Sequence, residues 1–313
     1  MICKWKEIAT IISWWIFSET IQLNLTNDRN LNMTLENIST AIETLKAINH
    51  KEELAYEKAF LAFLSIKHMP ILILEIPKGL EICRSRPHDT SDFFYFISDF
   101  TNPPSQSVKN FARCNRPFQS KFYCSDTLQT SFIELAENWA ETKHAGDKLY
   151  VTTGFWCTKK ALQSIIVLSP DKINRTSTFD KEHGKALDFE IEKYNGEFKE
   201  AMILFYRFLF DIFRVQAKNN PLAYIIATAY SNLSLLKLDG QANCIFYPSV
   251  PFMGQGINFA INADFIGIDN IELQTVICNE MAVSMNEFNK HEFTESKSWT
   301  AKQLSNIDNE ITW

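Results

Sequence analysis

The sequence has no excess of basic residues. Its 31 lysines and arginines stand against 37 aspartates and glutamates, so the formal net charge is −6. Without a positive field to gather polyanions, the protein is not expected to bind nucleic acid. A single charged small molecule remains open as a ligand, and the 313 residues are enough for one large domain or two modest ones.

Cysteine pairs at metal-binding spacing are also absent. The cysteines number seven and none forms a CxxC motif, which argues against a zinc cage and against the disulfide framework of a small secreted domain. We expect reduced, buried thiols in a cytoplasmic protein. The cysteines are Cys3, Cys83, Cys114, Cys124, Cys157, Cys244 and Cys278.

The N-terminal hydrophobic run is too short to cross a membrane. It covers ten residues from Ile8 to Phe17, whereas a transmembrane helix needs about 20. No small-residue cleavage site follows it, and Glu7 interrupts the basic start of a signal peptide. The sequence therefore predicts neither a membrane anchor nor a secretory signal.

The common catalytic motifs are missing. There is no GxxxxGK[ST] phosphate loop, no GxSxG nucleophile elbow and no HExxH metal helix, and the GQG at residues 254–256 is typical of a turn. None of the histidines has a carboxylate or cysteine at ligand spacing, so no metal site is expected. The histidines are His50, His68, His88, His144, His183 and His291.

The first eighty residues are expected to form a helical region. Apolar side chains recur at helical spacing in residues 35–45 and 54–64. The next segment, PILILEIPKGLEICRSRP, is bounded by prolines and predicts strand, turn and strand. We therefore expect a helical N-terminal region (1–79), a main domain (80–285) and a polar, peripheral tail (286–313).

The main domain is expected to be α+β without regular βαβ alternation. Strands are predicted in KFYCS, LYVTTGFWC, SIIVLS, CIFYPSV, INFAI and LQTVICNE. Two long amphipathic helices interrupt them, one over about residues 196–218 and one from Pro221, which suits a first helical position. The stretch DKINRTSTFDKEHGK is expected to be a loop.

One stretch combines groups of complementary chemistry. FARCNRPFQSKFYCSDTLQTSFIELAENW, residues 111–139, contains Arg113, Tyr123 and Glu134. Its KFYCS portion is a predicted strand and the following portion a predicted helix. At 100° per residue, Glu134 lies about 120° to 130° from the centre of the helix's apolar stripe. It can therefore face a cleft or water, and periodicity leaves both alternatives open.

The start of this helix has a capping signal. Ser125 or Asp126 is expected to cap it, and Gln129 would complete a capping box with Asp126. The strand and the helix are therefore expected to be joined by a short turn.

This segment resembles the RES domain, a bacterial family named for an arginine, a glutamate and a serine. The family core reads Gly-Gly-Arg-Trp-Asn, then a tyrosine in a strand, then a glutamate in the next helix. Here Tyr123 follows Arg113 by ten residues and Glu134 follows Tyr123 by eleven. CRSRPH resembles the family's first strand, and CIFYPSVPFMGQGINFAI resembles its Tyr-Pro-Ser turn and asparagine-containing strand, which matches Ser249 to the serine. The resemblance spans about residues 80–279.

Four positions depart from the family pattern. Phe111 and Ala112 stand where the two glycines are expected, Cys114 stands for the tryptophan, and Phe118 stands for a glycine near the hairpin. These changes remove no polar group of the motif, but they alter the loop that carries Arg113.

The resemblance implies a fold similar to the ADP-ribosyltransferases, in which small β-sheets form an NAD cleft flanked by helices. It implies NAD as the substrate and no metal. A carboxylate suits this chemistry because it stabilises the oxocarbenium-like ribose, an arginine fork binds pyrophosphate, and a tyrosine ring stacks on nicotinamide. The expected catalytic residues are Arg113, Tyr123 and Glu134, and the expected NAD-binding residues are Arg84, Arg86, Ser249 and Asn258.

The expected function is cleavage of the nicotinamide–ribose bond of NAD, with release of nicotinamide and ADP-ribose or its phosphate. The resemblance further implies a toxin silenced by an Xre-type antitoxin protein. Two alternatives stay open: a mono-ADP-ribosyltransferase acting on a protein, and a non-catalytic module that senses a nucleotide and recruits a partner through the N-terminal region. That region could instead be a built-in regulator that covers the active site.

Overall fold

The computed structural model describes residues 21–24, 33–88, 90–216, 220–252 and 255–313. The apolar run from Ile8 to Phe17, Cys3 and Gly254 lie outside the described residues. None of the helices in the described ranges is both long and apolar enough to span a membrane.

The described chain is a mixed α and β structure with a large mixed sheet. Its helices are α1 (Leu35–Lys46), α2 (Ala55–Leu64), α3 (Leu128–Thr142), α4 (Thr178–Glu192), α5 (Gly196–Arg214) and α6 (Pro221–Lys237). Its strands are β1 (Ile21–Asn24), β2 (Ile71–Ile76), β3 (Glu81–His88), β4 (Lys121–Ser125), β5 (Lys148–Thr158), β6 (Leu162–Ile166), β7 (Cys244–Pro248), β8 (Ile257–Asn262), β9 (Ile271–Met285), β10 (His291–Thr300), β11 (Gln303–Ser305) and β12 (Glu310–Thr312).

The main sheet consists of two half-sheets that meet along one narrow seam. The strand order is β1-β2-β6-β7-β8-β4-β3-β5-β9-β10, and β6 and β7 are a parallel pair. β3 aligns with β5 along its whole length, and β4 aligns with β8 along its whole length. Among the described residues, β3 and β4 pair only at Cys83 and Ser125. We call this pair the seam; the first half-sheet ends at β4 and the second begins at β3.

Helices cover one face of both half-sheets. Strand alternation puts Cys83 and Ser85 on the same face of β3, and the Ser131 hydroxyl of α3 donates to Ser85 Oγ at 2.8 Å. Over the second half-sheet, α3 packs through a cluster of buried side chains that includes Phe132, Trp139 and Phe293. α5 lies over the first half-sheet, because the Tyr247 ring of β7 meets Phe213 of α5, and α6 packs beside α5.

Both predicted N-terminal helices are confirmed. α1 begins after Thr34, whose hydroxyl accepts a hydrogen bond from Asn37 N at 3.1 Å. α1 packs on α5 and α2 packs on α6. The Phe63 ring of α2 meets Phe205 at 6.4 Å and Tyr230 at 5.7 Å between ring centroids. The apolar face predicted for α1 is thus buried, but the face predicted for α2 is wrong. Leu54, Leu61 and Leu64 are exposed, and α2 instead buries the side chains of Ala55, Ala59, Ala62 and Phe63 against the long helices.

Secondary structure continues across both expected domain boundaries. β2 lies between β1 and β6 within the main sheet, so the N-terminal region adds strands as well as helices. The expected peripheral tail forms the edge strand β10 and the β11–β12 pair. One cluster of buried apolar side chains includes both Met33 and Ile311. Neither boundary therefore separates one hydrophobic core from another.

The predicted loop DKINRTSTFDKEHGK is wrong over most of its length, because the chain forms α4 from Thr178. The Ser177 hydroxyl caps this helix by accepting a hydrogen bond from Asp180 N at 3.0 Å. Leu187 and Ile191 are buried on its inner face. Gly184, which favours a loop in the sequence, leaves room for a neighbouring side chain: a Cβ there would lie 2.5 Å from Arg175 Cδ.

The predicted cap of α3 is also wrong by one or two residues. Thr127 is the N-cap, and its hydroxyl accepts a hydrogen bond from Thr130 N at 3.1 Å. Ser125 is the last residue of β4 and Asp126 belongs to the turn. Ser125 does not cap the helix because its hydroxyl bonds across the sheet instead. α5 ends at Arg214, short of the predicted Lys218, which lies outside the described residues.

The structure describes six of the cysteines, and all six are free thiols. Five of them are buried, which confirms the prediction, whereas Cys157 is partly exposed. Burial raises the pKa of Cys114 to about 11, so this thiol stays protonated at neutral pH.

Candidate functional site

The carboxylate of Glu134 is the centre of the candidate site. Glu134 lies on the flank of α3, the position that helical periodicity predicted, and the structure shows it partly buried. Its Oε1 atom accepts two hydrogen bonds, one from Ser249 Oγ and one from Asn258 Nδ2, each at 2.6 Å. Glu134, Ser249 and Asn258, which were predicted from two separate stretches of the sequence, therefore meet at one carboxylate oxygen.

Two neighbouring strands fix the donors. Asn258 of β8 pairs with Ser125 of β4 on one side and with Tyr247 of β7 on the other. Directly paired residues share a face of a sheet, so these three side chains form a row on the face that α3 covers. The Ser125 hydroxyl donates to Asn258 Oδ1 at 2.8 Å. Asn258 is 6% exposed, so its carboxamide lies largely out of contact with water.

Ser249 is placed by the connection between β7 and β8. It follows Pro248 directly and is completely buried, and its backbone N–H donates to Gly256 O at 2.8 Å. Gly256 allows this connection to approach the first turn of α3, because a Cβ at this position would overlap the Thr130 side chain. The absence of a side chain at 256 therefore brings Ser249 within reach of Glu134.

The structure places Arg113 against the end of α5. Its guanidinium donates to the carbonyl oxygens of Phe213 and Val215, which the end of the helix leaves without helical partners. The group lies 5.0 Å from the ring centroid of Tyr224 and 5.6 Å from that of Tyr247. Arg113 is 8% exposed, so its donors are directed to backbone carbonyls in a buried position.

Tyr123 holds the turn that carries Arg113. Its hydroxyl donates to Asn115 Oδ1 at 2.8 Å and accepts from Cys114 N at 3.0 Å. Burial raises the pKa of Tyr123 well above its ordinary value, so the hydroxyl remains a donor at neutral pH. Because Tyr123 precedes Ser125 by two residues on β4, its ring lies on the same face as the Ser125–Asn258 row.

Tyr247 connects the two groups of residues. It contacts the Arg113 guanidinium and pairs with Asn258 across the sheet. Burial is the main cause that raises the pKa of Tyr247, and the Glu134 carboxylate contributes in the same direction. Tyr247 and Ser125 are site residues that sequence reasoning missed. For Ser125 a signal was present, because strand alternation gives it the same face as Tyr123.

The structure does not bring Arg84 and Arg86 to Glu134. Ser85, between them on β3, contacts α3, so strand alternation directs both arginines to the opposite face. Arg84 donates to Tyr123 O at 2.7 Å, and burial lowers its pKa to about 10. Arg86 donates to Asp99 O at 2.6 Å.

Two cavities lie away from this cluster. One of about 580 Å³ lies between α1 and α2, and one of about 510 Å³ is lined by α2 and residues 111–119. Glu134 lines neither. Convergent hydrogen-bonding groups, rather than cavity size, therefore define the candidate site. Within the ranges given above, no group of three or more histidine, cysteine, aspartate or glutamate side chains could hold a metal ion.

Comparison with known proteins adds no family assignment. No family model matches the chain, and no curated protein matches it. The likeness to the RES domain therefore rests on the motifs in the sequence and on the residues they identify.

Proposed function

We propose that the protein cleaves the nicotinamide–ribose bond of NAD with Glu134 as the catalytic carboxylate. The observation that carries this proposal is that the two oxygens of the Glu134 carboxylate differ in their hydrogen bonds. Oε1 is held by Ser249 and Asn258, while Oε2 has no hydrogen-bond partner among the described residues. A carboxylate fixed at one oxygen presents the other in a defined direction to a hydroxyl or a developing cation.

The chemistry needs little more than this group. When the bond between C1′ and nitrogen breaks, both electrons leave with nicotinamide, which departs as a neutral molecule. The ribose becomes oxocarbenium-like, and a nearby carboxylate stabilises its positive charge. Water then adds to C1′ and loses a proton to give ADP-ribose, or phosphate adds in its place to give the 1-phosphate.

The surrounding residues receive different roles in this proposal. Ser249 and Asn258 hold the carboxylate, and the Tyr123 ring supplies an apolar face for nicotinamide. Arg113 is a positioning residue rather than a pyrophosphate ligand, because its donors already meet the carbonyls of Phe213 and Val215. The ribose end of NAD thus fits the described groups better than its pyrophosphate does.

The same proposal includes an ADP-ribosyltransferase-like fold. Its support is the division of the main sheet into two half-sheets joined at the Cys83–Ser125 seam. On the same face of the sheet, α3 packs at the seam and α5, with α6 beside it, packs on β7. In the proposed fold, NAD enters between α3 and the α5–α6 pair. Glu134 would then face the ribose from α3, and Asn258 and Tyr123 would form the floor.

The test compares matched variants of α3 in an NAD cleavage assay. Glu134→Gln keeps an oxygen that can accept from both donors but removes the charge. We expect nicotinamide release to fall by about 100-fold or more, with an unchanged melting temperature. Glu141→Gln, the same change at an exposed position of the same helix, is the control and should keep full activity. A folded wild-type protein that releases no nicotinamide would contradict the proposal.

Product analysis distinguishes the acceptors. ADP-ribose points to water and its 1-phosphate points to phosphate, whereas label transferred from NAD to protein points to an ADP-ribosyltransferase. If the protein is a toxin, its expression should lower cellular NAD and arrest growth. Expression of Glu134→Gln should do neither. An Xre-type antitoxin would relieve the arrest by the wild-type chain.

A non-catalytic nucleotide-sensing module is the second candidate function. The observation that favours it is the commitment of Arg113 to backbone carbonyls in a loop where Phe118 adopts a positive φ of 62°. Such a module would bind NAD without releasing nicotinamide, and calorimetry on the wild-type chain and on Glu134→Gln would then give measurable binding without turnover.

A further inference from the structure

A chain of hydrogen bonds leads from the seam to the proposed catalytic carboxylate. Ser125 Oγ donates to Asn258 Oδ1 at 2.8 Å, and Asn258 Nδ2 donates to Glu134 Oε1 at 2.6 Å. Ser125 and Asn258 are both buried, at 4% and 6% exposure. Water therefore has little access to replace either hydrogen bond.

The orientation of the Asn258 carboxamide follows from its two neighbours. An ionised carboxylate only accepts hydrogen bonds, so the amide nitrogen must face Glu134. This leaves the amide oxygen toward Ser125, whose hydroxyl is its donor. A donor at the oxygen also polarises the amide and strengthens the N–H bond to the next acceptor. Ser125 thus acts on Glu134 without touching it.

Alternative partners for the amide oxygen are scarce. Beside Asn258 in the row lies Tyr247, whose ring meets Phe213 and the Arg113 guanidinium instead. The neighbours of Asn258 along the strand, Ile257 and Phe259, have apolar side chains. Apart from Ser125, no described side chain donates to Asn258 Oδ1. Without the Ser125 hydroxyl, a buried carbonyl oxygen would lack a donor, and the carboxamide would rotate to find one. That rotation withdraws Nδ2 from Glu134.

We propose that Ser125 is a positioning residue that sets the direction of the Glu134 carboxylate through the Asn258 carboxamide. This inference rests on the proposed function for its kinetic consequence, but its geometric part does not. Because Ser125 is also the β4 residue of the seam, the direction of Glu134 depends on how the two half-sheets meet.

The kinetic test uses four variants of the full chain: Ser125→Ala, Ser125→Thr, Asn258→Ala and the Ser125→Ala/Asn258→Ala double variant. We expect Ser125→Ala to lower kcat by about 10-fold or more with little change in KM, because the carboxylate acts mainly in the transition state. Ser125→Thr keeps the hydroxyl and should recover most of the activity. The double variant should be no slower than Asn258→Ala alone, since both changes break the same chain of hydrogen bonds from Ser125 through Asn258 to Glu134, which we call the relay.

A spectroscopic test does not depend on turnover. In protein labelled with ¹⁵N-asparagine, the Asn258 side-chain amide signal is assigned by its loss in Asn258→Ala. We expect this signal to shift in Ser125→Ala and to stay near its wild-type position in Ser125→Thr. If Ser125→Ala does not fold, Ser125→Cys replaces it, because a thiol keeps the side-chain volume and is a weak donor. Its kcat and its Asn258 amide signal should lie between the wild-type values and those expected when the hydrogen bond is lost.

The outcomes separate the two proposals. If wild-type protein releases no nicotinamide but the amide signal responds as expected, the proposed function fails and the relay stands. A Ser125→Ala variant with wild-type kcat overturns the relay, as does an unchanged amide signal. If the fold-losses in kcat of Ser125→Ala and Asn258→Ala multiply in the double variant, the two residues act independently and Ser125 has only a structural role.

Discussion

Arg113 is a buried cation whose partners are the carbonyl groups at a helix end. The last carbonyls of a helix lack intrahelical donors, and a positive charge there is favoured by the helix dipole. The guanidinium donates to Phe213 O and Val215 O and lies against two tyrosine rings. At the scale of the residue, its described contacts stabilise the end of α5.

This role predicts the effect of Arg113→Lys. Lysine cannot reproduce the fork, so at least one buried carbonyl loses its donor, and we expect about 2 kcal/mol lower stability in urea unfolding. Arg116→Lys, at an exposed position in the same loop, should change stability by less than about 0.5 kcal/mol. A stable Arg113→Lys protein with a raised KM for NAD would instead support a pyrophosphate contact.

The sequence predicts single residues best where one local pattern decides their position. Helical periodicity located Glu134 on the flank of α3, and the resemblance of CIFYPSVPFMGQGINFAI to the RES domain pointed to Ser249 and Asn258. The partners of Arg113 follow it by a hundred residues or more in the chain, so no local pattern could reveal them. Ser125 was assigned to a helix cap because its bond across the sheet depends on strand pairing.

At the scale of the element, α4 shows how a glycine can indicate the wrong structure. Gly184 lowers helix propensity, yet it lies beside Arg175, which is 5% exposed. The Arg175 guanidinium donates to both oxygens of Asp188 on the next turn of α4, at 2.6 and 2.8 Å. The helix needs a glycine where this side chain crosses it, a tertiary requirement that the sequence does not display.

We therefore expect Gly184→Ala to destabilise the protein although alanine favours helices. The added Cβ would overlap the Arg175 side chain, so the arginine must move and weaken its bonds, at a cost of about 1–3 kcal/mol. Lys185→Ala, on the exposed side of α4, is the control and should lie within about 0.5 kcal/mol of wild type. A higher melting temperature for Gly184→Ala would mean that Arg175 adapts without loss.

At the scale of the whole molecule, the N-terminal region is part of the main structure. β2 pairs with β6, and α2 packs its Phe63 ring against α5 and α6. Pro77 and Gly79 suggested a domain boundary, but they mark only the turn between β2 and β3. Strand order in a sheet depends on pairings far apart in the sequence, so local signals could predict the strands but not their arrangement.

This arrangement predicts the result of truncation. A chain that starts at residue 80 leaves β6 without its β2 neighbour and exposes the apolar faces of α5 and α6, so we expect it to aggregate or to lack a cooperative thermal transition. Full-length protein prepared in parallel is the control for circular dichroism and light scattering. A folded fragment with increased nicotinamide release would instead identify residues 1–79 as a regulator.

The seam has a consequence for amide hydrogen exchange. β3 is protected by β5 and β4 by β8 through continuous ladders. Among the described strands, β3 and β4 are joined by one backbone pair and by the hydrogen bond from the Arg84 side chain to Tyr123 O. Backbone amides that face the seam should therefore exchange with deuterium faster than those in either ladder, because local opening there breaks few hydrogen bonds. Ser125 lies on this line, so slowly exchanging ladder amides and faster exchanging seam amides should lie beside the group that orients Glu134.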